Sequence, residues 1–196
     1  MRFWLVLAVV SWAGAVWGQP GGGAIGAYFD EAGTLSMVRP PPFAPFSVFF
    51  IAKEIDSISG FEFSVELNEP TVTVISRNLP PHPCLLCFDT HNYIVGLGRC
   101  FDELGGSYML LSYSLGFFSG VMPDDIPICV RPSTPSMLGV PSYVDCDGGV
   151  RPLSYAQRDM CGIHDDGCAV VNPSVEFENC VVGPGTKSWA AVKSLW

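Results

Sequence analysis

Between Ser59 and Leu67 the chain reads SGFEFSVEL, so that Phe61, Phe63, Val65 and Leu67 alternate with Glu62, Ser64 and Glu66. A period of two gives a strand one buried face and one wet face. Purely parallel sheets are covered on both sides and read as continuous apolar runs, so the alternation predicts an antiparallel sheet with one face in a core. Residues 46–52 (FSVFFIA) form a dense β-branched and aromatic run before it. After it comes NEPTVTVISRNL, in which Val72, Val74 and Ser76 share one face while Thr71, Thr73 and Ile75 share the other. These three strands are expected to pair or pack as the first half of a sheet system. Upstream, 27–29 and 35–38 read as short strands around the turn-like DEAGT, and Pro40, Pro41, Pro42 and Pro45 stop any continuation. Downstream, strands are expected over 93–97, 108–118, 126–130 and 143–146, with DELGGS as a turn.

Helical periodicity is confined to the end of the chain, TKSWAAVKSLW. There Thr186 or Ser188 can cap a turn, and Trp189, Val192 and Trp196 fall at helical spacing. Many short strands, with 21 glycines and 17 prolines, place the chain in the all-β class as an antiparallel, immunoglobulin-like β-sandwich with a short C-terminal helical tail. That tail reads either as a helix docked on the sandwich edge or as a sorting or assembly tag.

The N-terminus changes the setting. Arg2, the apolar run 3–17 and the small residues of SWAGAVWGQ have the parts of a secretory signal peptide, with removal expected after Gly18 or Ala15. Gln19, Pro20 and three glycines end the run at the lower limit for a membrane span, and no later stretch is apolar enough to replace it. The expected organisation is a leader over 1–18, a sandwich domain over 19–185 and an amphipathic tail over 186–196. A domain of that size buries roughly 70% of the surface its unfolded chain exposes. The net charge is −9, loss of Arg2 takes it to −10, and the basic residues are scattered singly. Nucleic acid and anionic membrane surfaces are poor partners for such a chain.

Eight cysteines, Cys84, Cys87, Cys100, Cys129, Cys146, Cys161, Cys168 and Cys180, make an even set in a chain carrying an export signal. That is the pattern of disulfides, up to four of them. Cys161 with Cys168 is the preferred local pair, because CGIHDDGC is a short polar loop whose glycines let its ends meet. All eight lie after residue 83, so the first part of the sandwich must hold by packing alone.

Candidate chemistry adds little to this picture. His82, Cys84, Cys87 and His91 in HPCLLCFDTH have spacing a zinc ion could use, but thiols in an oxidising compartment pair with each other. The Pro83-Cys84-x-x-Cys87 string matches half of a zinc deaminase signature, whose upstream His-x-Glu is missing. A thioredoxin-like role needs a helix after Cys84, and FDTHNYIV does not read as one. Asp145, Asp147, Asp165 and Asp166 lie in VDCDGG and HDDG, which are turn formers before they are calcium loops. No Gly-x-Ser-x-Gly is present. No catalytic residue, metal ligand or cofactor is therefore assigned. Sugar binding on a sandwich relies on rigid aromatic surfaces, and no Trp occurs between residues 18 and 188. Tyr93, Tyr108, Tyr113 and Tyr143 would have to point outward to replace one, whereas a Tyr in a strand more simply buries its ring and keeps a polar tip.

Residues 46–79, with FSVFFIAKEI, ISGFEFSVEL and NEPTVTVISRNL, resemble the opening strands of cohesin-like bacterial sandwich domains. The chain as a whole is similar to uncharacterised secreted bacterial β-sandwich proteins that begin near IGAYFDEAGT, carry CVRPSTPSMLGVPSYVDCDGGVRPL and close with SWAAVKSLW. The resemblance implies an exported, non-catalytic binding or structural module for protein–protein attachment or assembly at the bacterial cell exterior. Its partner would be another extracellular protein or a cell-surface component. A carbohydrate-binding module is the alternative, and a secreted enzyme the third reading. The cysteine density departs from cohesins, so neither a dockerin partner nor any binding residue is carried over.

Overall fold

The computed structural model describes residues 22–79, 91–102, 105–118, 122–156 and 167–174. Twelve strands form two facing sheets, and no helix occurs among the described residues. The first sheet contains β1 (Ala24–Tyr28), β3 (Phe46–Ile55), β5 (Val72–Asn78), β7 (Gly106–Phe117) and β11 (Ser154–Tyr155), in the order β11-β1-β3-β7-β5. The second contains β2 (Met37–Val38), β4 (Ile58–Glu66), β6 (Asn92–Phe101), β8 (Ile126–Arg131), β9 (Ser142–Val144), β10 (Val150–Pro152) and β12 (Cys168–Val171). Its pairings run β10-β9-β4 and β4-β8-β12-β2, with β8 and β9 sharing one edge of β4 and β6 taking the other.

The expected class is the observed one, with two refinements. Most pairings are antiparallel, but β11 lies parallel to β1 and β2 parallel to β12, so both sheets are mixed. The three strands read as one half-system do not pair with each other. β4 belongs to the second sheet, while β3 and β5 both pair with β7 in the first. β3 and β4 therefore pack face to face across the core.

That core is made by the alternating positions of both sheets. Phe50, Tyr113 and Leu115 from one side meet Phe61, Phe63 and Val65 from the other. Phe50 stands edge-on to Tyr113 at 5.2 Å between ring centroids and tilts against Phe63 at 5.8 Å. Each fully buried aromatic of this kind contributes about 1.5–3 kcal/mol of transfer free energy.

A register shift in β5 between Val74 and Ser76 overturns part of the predicted facing. Val72 and Val74 face inward as expected, but Ser76 pairs with Ser114 on the outer face and Arg77 with the core residue Tyr113. An unpaired residue in one strand reverses the alternation beyond it.

Two disulfides lie among the described residues, Cys100–Cys146 and Cys129–Cys168. The second corrects the expected Cys161–Cys168 pairing. β12 runs antiparallel beside β8 with Cys168 directly opposite Cys129, their Cα atoms 4.0 Å apart, so the ladder has already chosen Cys168's partner. The bridges span 46 and 39 residues, and a loop of that length corresponds to about 4 kcal/mol of unfolded-state entropy. Cys84, Cys87, Cys161 and Cys180 lie outside the described residues, as do the leader over 1–18 and the tail over 186–196.

Candidate functional site

β8 and β9 occupy the same edge of β4. Glu66, Val65 and Ser64 pair with Cys129, Val130 and Arg131, and two residues further along β4 the ladder resumes with Glu62 opposite Ser142. The residues between, 132–141 (PSTPSMLGVP), leave the sheet as a loop inside what is otherwise one continuous edge. This excursion is held at its base by a charge. Glu62, placed by the alternation of β4 on the wet face, is only 6% exposed. Its Oε1 accepts from Ser136 Oγ at 3.0 Å, the Met137 amide at 2.9 Å and Ser142 Oγ at 3.0 Å. A buried carboxylate is tolerated when several donors replace its water, as they do here.

Neighbouring strands complete the anchorage. Across β4, the Asn92 side chain at the start of β6 donates from Nδ2 to the Thr134 carbonyl at 2.7 Å and accepts the Thr134 amide on Oδ1 at 2.9 Å. Ser64 Oγ donates to the Pro132 carbonyl at 2.8 Å. Within the loop, Ser136 Oγ accepts the Gly139 amide at 3.0 Å, and Gly139 takes a φ of 69°, which suits glycine. The loop so fixed presents Met137, 74% exposed, and Leu138, 46% exposed. At its start Arg131 is paired with Glu66 at 2.6 Å. The result is an exposed apolar tip on a polar, hydrogen-bonded base.

A concavity opens beside β5, a cleft of about 530 Å³ lined by Leu67, Glu69, Val72, Val74, Arg77 and His91 among others. Nearby, the buried Tyr113 hydroxyl lies 2.6 Å from that of Tyr93 and 3.2 Å from His91 Nδ1. Burial, reinforced by Tyr93, pushes the Tyr113 phenol far above its usual range, so it stays protonated at neutral pH and is a poor base or nucleophile. Glu69 is tied back by the Thr71 side chain and amide, which hold its carboxyl below the usual range. Neither group is poised for acid–base or nucleophilic chemistry.

The residues singled out from sequence are dispersed. Tyr93, Tyr113 and Tyr143 are buried, and Tyr108 is half-buried against the core beside Phe101, so they form no outward platform. Asp145 is the centre of the turn joining β9 to β10. Its Oδ1 accepts from the Asp147 and Gly149 amides at 3.1 and 2.6 Å, while Arg151 holds its carboxyl below the usual range. That is the predicted turn. Asp165, Asp166, His82, Cys84 and Cys87 lie outside the described residues, and among the described residues no three His, Cys, Asp or Glu side chains gather as a metal site. The Glu62 anchorage had no local signal, because its donors come from residues 74 to 80 positions away.

No family model matches the chain, and no curated protein sequence matches it. Solved structures do. The sixth cohesin of scaffoldin B from Acetivibrio cellulolyticus, solved with a mutant Cel5 dockerin, superposes with a TM-score of 0.52 at 11% identity, covering 78% of this chain and 99% of that one. The OlpA cohesin of a Clostridium thermocellum type I cohesin–dockerin complex gives 0.48 at 13% identity over 78% and 97%. On the first of these superpositions, the chain has a cohesin-like fold.

Proposed function

We propose that this chain is a non-catalytic protein-binding module at the cell exterior, and that it engages its partner through the loop 132–141. The observation that carries the reading is the rigid outward presentation of Met137 and Leu138 above a buried carboxylate. A fold that commits a buried charge to holding two apolar side chains in water gains no stability from their exposure, and docking accounts for it. The cohesin-like sandwich agrees, since the cohesins it resembles were solved bound to dockerins. The leader-like N-terminus and the disulfides support an extracellular setting. Sugar binding lacks an outward tyrosine platform, since Tyr93, Tyr113 and Tyr143 are buried and Tyr108 is half-buried against Phe101.

The test is capture from the secreted and surface-extracted proteins of the producing cells on the immobilised full chain, with the captured proteins identified by mass. Met137→Asp with Leu138→Asp should leave the thermal transition in place and weaken retention of the specific partner at least about tenfold, the scale of a small hot spot. Undiminished retention would remove the loop from the interface. Retention on insoluble polysaccharide instead of protein would favour the carbohydrate-binding alternative.

A further inference from the structure

The two described disulfides occupy opposite environments. Cys129 and Cys168 are 4% and 3% exposed inside the β8–β12 ladder, whereas Cys100 and Cys146 both lie on the exposed surface. Cys100 sits where β6 departs from its partner. Gly60 pairs with Gly96 and Ile58 with Phe101, so residues 97–100 bow out of the ladder. At the tip of that bow Gly98 has a φ of 68° and no atom within 4 Å of where a Cβ would stand. Cys146 belongs to the turn between β9 and β10, on the other flank of β4.

The bridge therefore passes over the start of β4 and ties its two neighbours together. Beyond the β4–β9 ladder, which ends with Gly60 opposite Val144, the turn is held to that part of the sheet by this bridge and by side-chain hydrogen bonds, the Cys146 amide to Ser57 Oγ at 3.2 Å and Ser59 Oγ to the Asp145 carbonyl at 2.9 Å. The same hairpin carries Ser142, one of the three donors to Glu62, and so forms a foot of the 132–141 loop.

We infer that Cys100–Cys146 is a selectively reducible staple whose state sets how firmly the β9–β10 hairpin, and with it the Met137–Leu138 loop, is held. This goes beyond the binding proposal, and its test needs no partner. A small dithiol is the reductant. Its thiolate attacks one exposed sulfur and breaks the Cys100–Cys146 bond to give a mixed disulfide. Its second thiolate then closes an intramolecular disulfide and releases the remaining protein thiol. The protein gains two electrons and two protons, and the dithiol loses the same. Access decides the order, because an attacking thiolate must approach along the S–S axis, and the β8–β12 ladder blocks that approach to Cys129 and Cys168.

The experiment is graded reduction of the folded full chain with dithiothreitol, trapping with iodoacetamide, complete reduction under denaturing conditions and a second label with N-ethylmaleimide, read by peptide mapping. Cys100 and Cys146 should carry the first label at a dithiothreitol concentration where Cys129 and Cys168 still carry the second. Hydrogen exchange of the amides over 132–149 should then be about tenfold faster, with β3 and β7 unchanged. Cys100→Ser with Cys146→Ser should reproduce that acceleration with the other bridge intact. If this variant does not fold, graded reduction of the wild-type chain decides alone. Labelling of Cys129 and Cys168 together with or before the exposed pair would overturn the inference, as would unchanged exchange over 132–149.

Discussion

Replacing Glu62 by alanine would leave the Ser136 hydroxyl, the Met137 amide and the Ser142 hydroxyl facing a void beneath the loop. Donors stranded in a buried site cost about 1–3 kcal/mol, and Glu62→Ala should lower unfolding stability by about that amount, measured in urea. Glu62→Gln keeps an acceptor oxygen in place and should lose less. Tyr113 offers a second test at this scale, through pH. Its folded phenol keeps its proton where an unfolded tyrosine, with a pKa of about 10, gives it up. A pKa raised in the folded state contributes stability that is complete below the unfolded value and is lost as pH rises above it. From about pH 10 upward the wild type should therefore lose up to about 1.4 kcal/mol per pH unit from this residue. Urea midpoints between pH 9 and 11.5 should fall less steeply in Tyr113→Phe. At neutral pH that variant should be about 1–2 kcal/mol less stable, since it removes the 2.6 Å partner of Tyr93.

Among the elements, β12 shows most plainly how position in the sheet sets a strand's character. CAVV is buried at every residue, with Ala169 and Val171 in the core and β8 and β2 on either side of it in the sheet. A strand covered on both faces loses its alternation and with it the signal by which strands are recognised, so this short run was not legible. Its bridge to β8 ties these two strands covalently. Cys129→Ala with Cys168→Ala should cost about 4 kcal/mol, lower the urea midpoint and steepen the slope, because the unfolded chain without the crosslink is more expanded. The other strands were legible in proportion to their length and regularity. β3, β4, β6 and β7 fall where the aromatic and β-branched runs place them. β5 was located correctly, but the bulge at Ile75 turned Arg77 rather than Ser76 toward the core side, and nothing local announces a bulge.

For the molecule as a whole, charge and shape act separately. The chain carries a net charge of −9, yet residues 132–141 contain no ionisable side chain, and Arg131 just before them is paired with Glu66. A partner held there is held by apolar contact, so the capture weakened by Met137→Asp and Leu138→Asp should survive high salt. An interface built on the acidic surface would be screened away within a Debye length. The topology makes this arrangement possible by placing β8 and β9 on one edge of β4, so that the connection between them folds back over the outer face of β4 toward β6.

The sequence by itself determined the class of this protein. Alternation at period two, β-branched and aromatic runs, and frequent glycine and proline are local properties, and they suffice for a β-sandwich with Phe61, Phe63 and Val65 in its core. The Asp145 turn was equally local and equally legible. Only the tertiary structure decided which strands pair, which cysteine meets Cys168 and why Glu62 is buried. Each of those depends on groups tens of residues apart in the chain, brought within a few ångströms by the sheet register, and no local pattern encodes that register.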